Sequence, residues 1–266
     1  MPMIETDDGT ALYFKEWGEG PAVVLVHGWP LSADSWDNVA LALAAAGYRV
    51  ISYDRRGFGR SDQPWSGYDY DTFADDLASV IEVTEAEDPV IIGFSMGGGE
   101  VARFLSRHGG ASKAVLIASV VPFLLQTADH PAGAPQAVFD GMKAGICADR
   151  PAFLKGFLQQ FYGGQVSDAV AEQSFQIALQ AGLKGTLDCI DAFSGTDFRP
   201  DLASFTMPTL IIHGTADAIV PIDISGRAAA AGIPQAQLLE IDGGPHGLLA
   251  SHKDQVIAAL LDFLAD

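Results

Sequence analysis

Val90-Ile91-Ile92-Gly93-Phe94-Ser95-Met96-Gly97-Gly98-Gly99 is the stretch whose reading decides the fold. Its apolar opening, Val90-Ile91-Ile92, reads as a strand buried on both faces. Gly93-Phe94-Ser95-Met96-Gly97 follows as a G-x-S-x-G pattern, and a helical stretch runs from about Gly98 to Arg107. So sharp a strand-to-helix turn strains the backbone of its central residue and lifts that side chain above the sheet. The flanking glycines fit because a Cβ at either position would collide across the turn. Ser95 then stands at a helix N-terminus, where free N–H groups and the helix dipole favour negative charge. The same five residues also suit a plain connecting turn. Partners elsewhere in the chain have to decide between nucleophile and linker.

Outward from this stretch, strand and helix alternate. Ala22–Val26, Arg49–Tyr53 and Lys113–Ser119 read as further buried strands, with helices near 32–46 and 70–84 between them. At the start, residues 3–7 and 11–17 read as a hairpin turned by Asp8-Gly9. Thr209–His213 and Gln237–Ile241 resume the sheet, and a helix near 252–264 closes the chain. This is the pattern of a mostly parallel α/β sheet covered on both faces. From about Val121 to Pro200 no strand-like run occurs; four helical stretches, 135–148, 151–161, 167–181 and 183–193, stand there instead. They carry more phenylalanine than surface helices need. The expected organisation is a core of residues 1–120 and 201–266, with a helical cap, 121–200, inserted in it.

Of the 266 residues, 34 are acidic and 15 basic, so the chain carries a formal charge of −19, which repels phosphate backbones and argues against nucleic-acid binding. Cys147 and Cys189 form neither a metal-ligand cluster nor a disulfide framework. There is no secretory leader and no apolar run long enough to span a membrane, which makes a cytoplasmic protein the expectation. Gly57-Phe58-Gly59 and Gly97-Gly98-Gly99 lack the context of a phosphate-binding loop.

A serine hydroxyl needs a base to take its proton, and that base needs a carboxylate to orient it. In this kind of sheet the chain order is Ser, Asp, His. Asp217 is the only acid in the loop after the strand at 209–213, with Asp223 assigned to capping the next helix. His246 sits between glycines in Gly243-Gly244-Pro245-His246-Gly247, free to reach Ser95. The other histidines lie at a strand end (His213), helix ends (His108, His252), in the cap (His130) or in the loop after the strand at 22–26 (His27). His27 is read as a brace for that loop rather than a catalyst. The oxyanion donors expected are the main-chain N–H groups of Met96 and Trp29; Pro30 has none to give.

With these residues placed, the chain resembles the α/β-hydrolases along nearly its whole length. More narrowly it resembles the bacterial aryl esterases and cofactor-free haloperoxidases, also called perhydrolases. The carrying stretches are His27-Gly28-Trp29-Pro30, Tyr53–Trp65, Gly93–Glu100 and Pro245-His246-Gly247. The resemblance implies cleavage of a small ester through an acyl-enzyme, with no cofactor, metal or haem. It implies further that hydrogen peroxide can replace water in deacylation, giving a peracid that oxidises halide outside the site. Proline after the oxyanion tryptophan, here Pro30, marks the more perhydrolase-like members. Members often self-associate, and the oligomeric state is left open. The acid loop, Gly214-Thr215-Ala216-Asp217, is less acidic than in many members.

Trp29, Phe94, Val120, Phe139, Phe157, Phe161, Ile219 and Val220 are the expected substrate-binding residues, shaping a pocket for a small apolar acyl group. Two other functions share this framework. One is carbon–carbon bond hydrolysis or lyase chemistry on the same triad, which would want a polar or basic pocket. The other is a non-catalytic small-molecule receptor.

Overall fold

The computed structural model describes residues 2–265. Eight strands form one sheet: β1 (Met3–Glu5), β2 (Ala11–Trp17), β3 (Ala22–Val26), β4 (Arg49–Tyr53), β5 (Val90–Phe94), β6 (Lys113–Ile117), β7 (Thr209–Gly214) and β8 (Ala236–Ile241). Their order is β1-β2-β4-β3-β5-β6-β7-β8. The first two strands run antiparallel to their neighbours, and β4 through β8 are parallel. The Asp8-Gly9 hairpin therefore forms an antiparallel edge on a parallel sheet, as its sequence anticipates.

The strands are apolar throughout because both faces are covered. Along β3, Val24 and Val26 enter the core on one side while Val23 and Leu25 enter the other. The same split separates Ile91 from Val90 and Ile92, and Leu116 from Val115 and Ile117. Burying each such side chain stabilises the fold by about 2 kcal/mol. Helices α1 (Asp37–Ala45) and α9 (Lys253–Ala265) cover one face. Helices α2 (Tyr70–Val83), α3 (Met96–Arg107) and α7 (Gly226–Gly232) cover the other. A one-turn helix, α8 (Leu248–Ser251), precedes α9.

Between β6 and β7 the chain passes through α4 (Gln136–Tyr162), α5 (Asp168–Gln180) and α6 (Leu183–Gly195). The two helices expected at 135–148 and 151–161 abut without a loop. Asp149 breaks the helical backbone between them (φ −158°, ψ 88°). Its side chain accepts from the Ala152 N–H at 3.0 Å and so caps the second half, which Pro151 opens. Two other expectations need correcting. Helix α3 begins at Met96 rather than Gly98, directly after Ser95. Asp223 caps nothing: it sits in a short 3-10 turn and pairs with Arg227.

The turn between β5 and α3 presses close on its neighbours. A Cβ on Gly93 would fall 2.5 Å from the Gly97 carbonyl oxygen, and one on Gly97 would fall 2.3 Å from that of Val26. Both obstacles are backbone, which cannot swing away. Gly97→Ala should therefore cost about 3 kcal/mol. Thermal unfolding is expected to show a midpoint lowered by about 5 °C or more; an unchanged midpoint would mean that the turn is looser than described.

Candidate active site

Ser95 occupies the tip of the β5–α3 turn with φ 54° and ψ −119°, a conformation rarely adopted by a side chain bearing a Cβ. The loops after β7 and β8 bring the other two candidates to it. His246 Nε2 lies 2.9 Å from Ser95 Oγ, and His246 Nδ1 lies 2.7 Å from Asp217 Oδ2. All three side chains are buried. The imidazole is held from the sides by Phe94, tilted against it at 5.3 Å between ring centroids, and by Phe161, edge-on at 4.9 Å.

Asp217 is surrounded by donors. Its Oδ1 accepts the main-chain N–H groups of Ile219 (2.9 Å) and Val220 (2.8 Å). Its Oδ2 faces His246 and, at 3.3 Å, Nε2 of His213. Burial works to raise the carboxyl pKa, but the two imidazoles outweigh it and hold the group well below the ordinary range. His213 Nε2 also lies 2.9 Å from the Val220 carbonyl oxygen. A carbonyl only accepts, so Nε2 carries the proton and shares it between that carbonyl and Asp217. His213 Nδ1 is buried and has no hydrogen-bond partner among the described residues. Sequence reading left His213 at a strand end. The signal for its role was its position four residues before the acid, at the end of the strand that leads into the acid's loop.

The loop after β3 is braced as expected. His27 Nδ1 lies 3.0 Å from the Gly28 carbonyl, and its Nε2 accepts the Arg55 N–H at 3.0 Å. Burial, with Arg55 nearby, pushes its pKa far down and keeps it neutral. Arg55 Nη2 donates to the His27 carbonyl (2.9 Å), while its Nε donates to Glu100 on α3 (2.6 Å). The polar stretch from Asp54 to Asp62 is thus largely buried framework. Met96, as the first residue of α3, has no carbonyl one turn back to receive its N–H. The Trp29 N–H has no main-chain acceptor among the described residues either. The Trp29 indole donates to the Thr186 carbonyl at 3.0 Å, tying this loop to α6.

Above Ser95 lies a cavity of about 430 Å3, within the range of small-molecule sites. Of the residues named from the sequence, Trp29, Val120, Phe139, Phe157, Ile219 and Val220 stand on its wall. Phe94 and Phe161 do not. Phe94 shares the strand parity of Ile92 and points to the opposite face of the sheet, and Phe161 packs beside it. Both bound a second, more polar hollow of about 290 Å3 behind the imidazole. Leu124, Met142, Phe153 and Phe193 also stand on the wall of the first cavity, and their place there escaped sequence reading. Apart from Ser95 and His246, only Gln160 brings a free polar side-chain end to it among the described residues, since the Trp29 indole N–H is engaged.

A family profile described as "alpha/beta hydrolase fold" matches residues 21–253. The chain belongs to the α/β-hydrolase family. A crystal structure of bromoperoxidase from Bacillus anthracis superposes with a TM-score of 0.97 and 47% identity, covering 100% of this chain and 99% of that one. A non-heme chloroperoxidase of Kitasatospora aureofaciens is 40% identical over 273 residues, with 99% of each chain covered. A bifunctional esterase/perhydrolase of Acinetobacter calcoaceticus is 37% identical over 274 residues, again with 99% of each chain covered.

Replacing His213 removes a donor from Asp217 and leaves the buried carboxylate one hydrogen-bond partner short. In His213→Phe kcat/KM for an ester should fall by about tenfold. His213→Gln, which can restore an N–H near the Nε2 position, should lose less. Equal kcat/KM in wild type and the Phe variant would show that His213 only fills space.

Proposed function

We propose that this α/β-hydrolase is an esterase that cleaves small carboxylic esters through an acyl-enzyme on Ser95 and passes the acyl group to water or hydrogen peroxide. The observation that carries this reading is the unbroken hydrogen-bond chain Ser95–His246–Asp217, 2.9 and 2.7 Å long, at the floor of an apolar cavity.

His246 takes the Ser95 proton as the hydroxyl attacks the ester carbonyl. The carboxylate of Asp217 fixes the tautomer and stabilises the imidazolium. The N–H groups of Met96 and Trp29 receive the developing oxyanion, a contribution of about 3 kcal/mol per donor. His246 then gives its proton to the leaving alkoxide. Water gives the carboxylic acid; peroxide gives a peracid, which diffuses out and oxidises halide. The full-length likeness to a bifunctional esterase/perhydrolase and to non-heme haloperoxidases supports both acceptors.

Residues 121–200 act as a cap whose phenylalanines, Phe139, Phe153, Phe157 and Phe193, receive the acyl group. No lysine or arginine stands on the cavity wall among the described residues, which favours a neutral apolar ester over a carboxylated substrate of carbon–carbon bond hydrolysis. The assembled hydrogen-bond chain favours an enzyme over a receptor.

Ser95→Ala should lower p-nitrophenyl acetate hydrolysis by about 10^3-fold or more. It should also abolish labelling by a fluorophosphonate probe, at an unchanged melting temperature. Turnover or labelling at the wild-type level in the variant would refute the scheme.

A further inference from the structure

Met142 and Met96 stand on the wall of the cavity that contains Ser95. Met3 lies on edge strand β1, and Met207 precedes β7, at the end of the sheet away from Ser95. Met96 is fully buried, whereas Met142 is only partly so. Met142 is also one helical turn from Val138, a wall residue with half of its surface exposed, where the cavity meets solvent. Most of the remaining wall is hydrocarbon or phenyl. The Trp29 indole is buried and hydrogen-bonded. The two cysteines are elsewhere: Cys147 is exposed off the wall, and burial keeps the Cys189 thiol protonated.

A peracid carries an electrophilic terminal oxygen, and a thioether sulfur is a soft nucleophile open to oxidation. We propose that Met142 is a modification site, oxidised to the sulfoxide by the peracid that Ser95 turnover releases into the cavity. The proposal rests on the perhydrolytic half of the function above. The terminal oxygen of the peracid is transferred to Met142 Sδ. The O–O bond breaks and an S–O bond forms. Sulfur loses two electrons, the peracid is reduced to its carboxylic acid, and the peracid proton moves to the carboxylate oxygen. Confinement raises the local concentration of oxidant at this sulfur above that in bulk. The product is a polar sulfoxide among Phe139, Phe153 and Phe157, which weakens binding of an apolar acyl group. Perhydrolysis thereby limits itself, while ester hydrolysis in water does not.

The test is peptide mass spectrometry of the full-length enzyme after incubation with phenyl acetate and hydrogen peroxide, with halide oxidation following peracid release. Sulfoxide at Met142 should form about tenfold or more faster than with the same peroxide alone. It should fall to the peroxide-only level in Ser95→Ala. Exposed Met3 should gain far less from turnover. Ester hydrolysis should decay during peroxide turnover, and in Met142→Leu it should decay more slowly relative to its own starting rate. Peracid release with Met142 unmodified would overturn the proposal, as would equal Met142 oxidation by peroxide alone. Ester hydrolysis with no peracid release would overturn both this proposal and the perhydrolytic reading, and would leave the esterase reading standing.

Discussion

A buried carboxylate is the constraint on which the site depends. Taken alone, Asp217 would be driven neutral by its surroundings, and a neutral acid could neither orient His246 nor stabilise its charge. Four donors prevent this: two main-chain N–H groups of its own loop and two imidazoles. The loop that supplies the N–H groups also supplies Ala218, Ile219 and Val220 to the cavity wall. Placement of the charge and shaping of the cavity are therefore one structural event. His213 links them, since its Nε2–H is shared between the carboxylate and the Val220 carbonyl.

The serine end is built from a different constraint. Strand β5 lies between β3 and β6, so the turn after it is surrounded by the loops of its neighbours. Ser95 N donates to the Ile117 carbonyl of β6 at 2.8 Å, and Gly97 abuts the Val26 carbonyl of β3. A strained serine persists because both neighbouring strands hold the turn. The loop after β3 is fixed from three sides: by His27 within it, by Arg55 and Glu100 beneath it, and by the Trp29 indole reaching α6. The backbone of this loop is thus held by contacts within the protein alone.

Much of this was legible in the sequence because it rests on local rules. Doubly buried strands read as unbroken apolar runs, the Asp8-Gly9 hairpin as a turn, and Ser95, Asp217 and His246 as residues that follow the strands now numbered β5, β7 and β8. What escaped depended on direction and on distance in the chain. Phe94 follows a two-residue alternation from Ile92, so its side chain faces away from the cavity even though its backbone adjoins Ser95. That signal was present, but proximity in sequence outweighed it. Arg55 and Arg56 carry no local signal of burial: their partners Glu100 and Asp76 lie 45 and 20 residues away and become visible only once α2 and α3 are packed. The joined halves of α4 reflect a cap made by Asp149 where Pro151 suggested a gap.

The account is tested most directly by trapping its intermediate. The enzyme is mixed with an excess of p-nitrophenyl ester, quenched in acid during turnover, and analysed as intact protein and as peptides. An added acyl mass confined to the peptide containing Ser95, and missing from His246→Ala, is the result expected. Turnover with no acylated protein, under conditions where deacylation limits the rate, or an acyl group mapped to another residue, would contradict it.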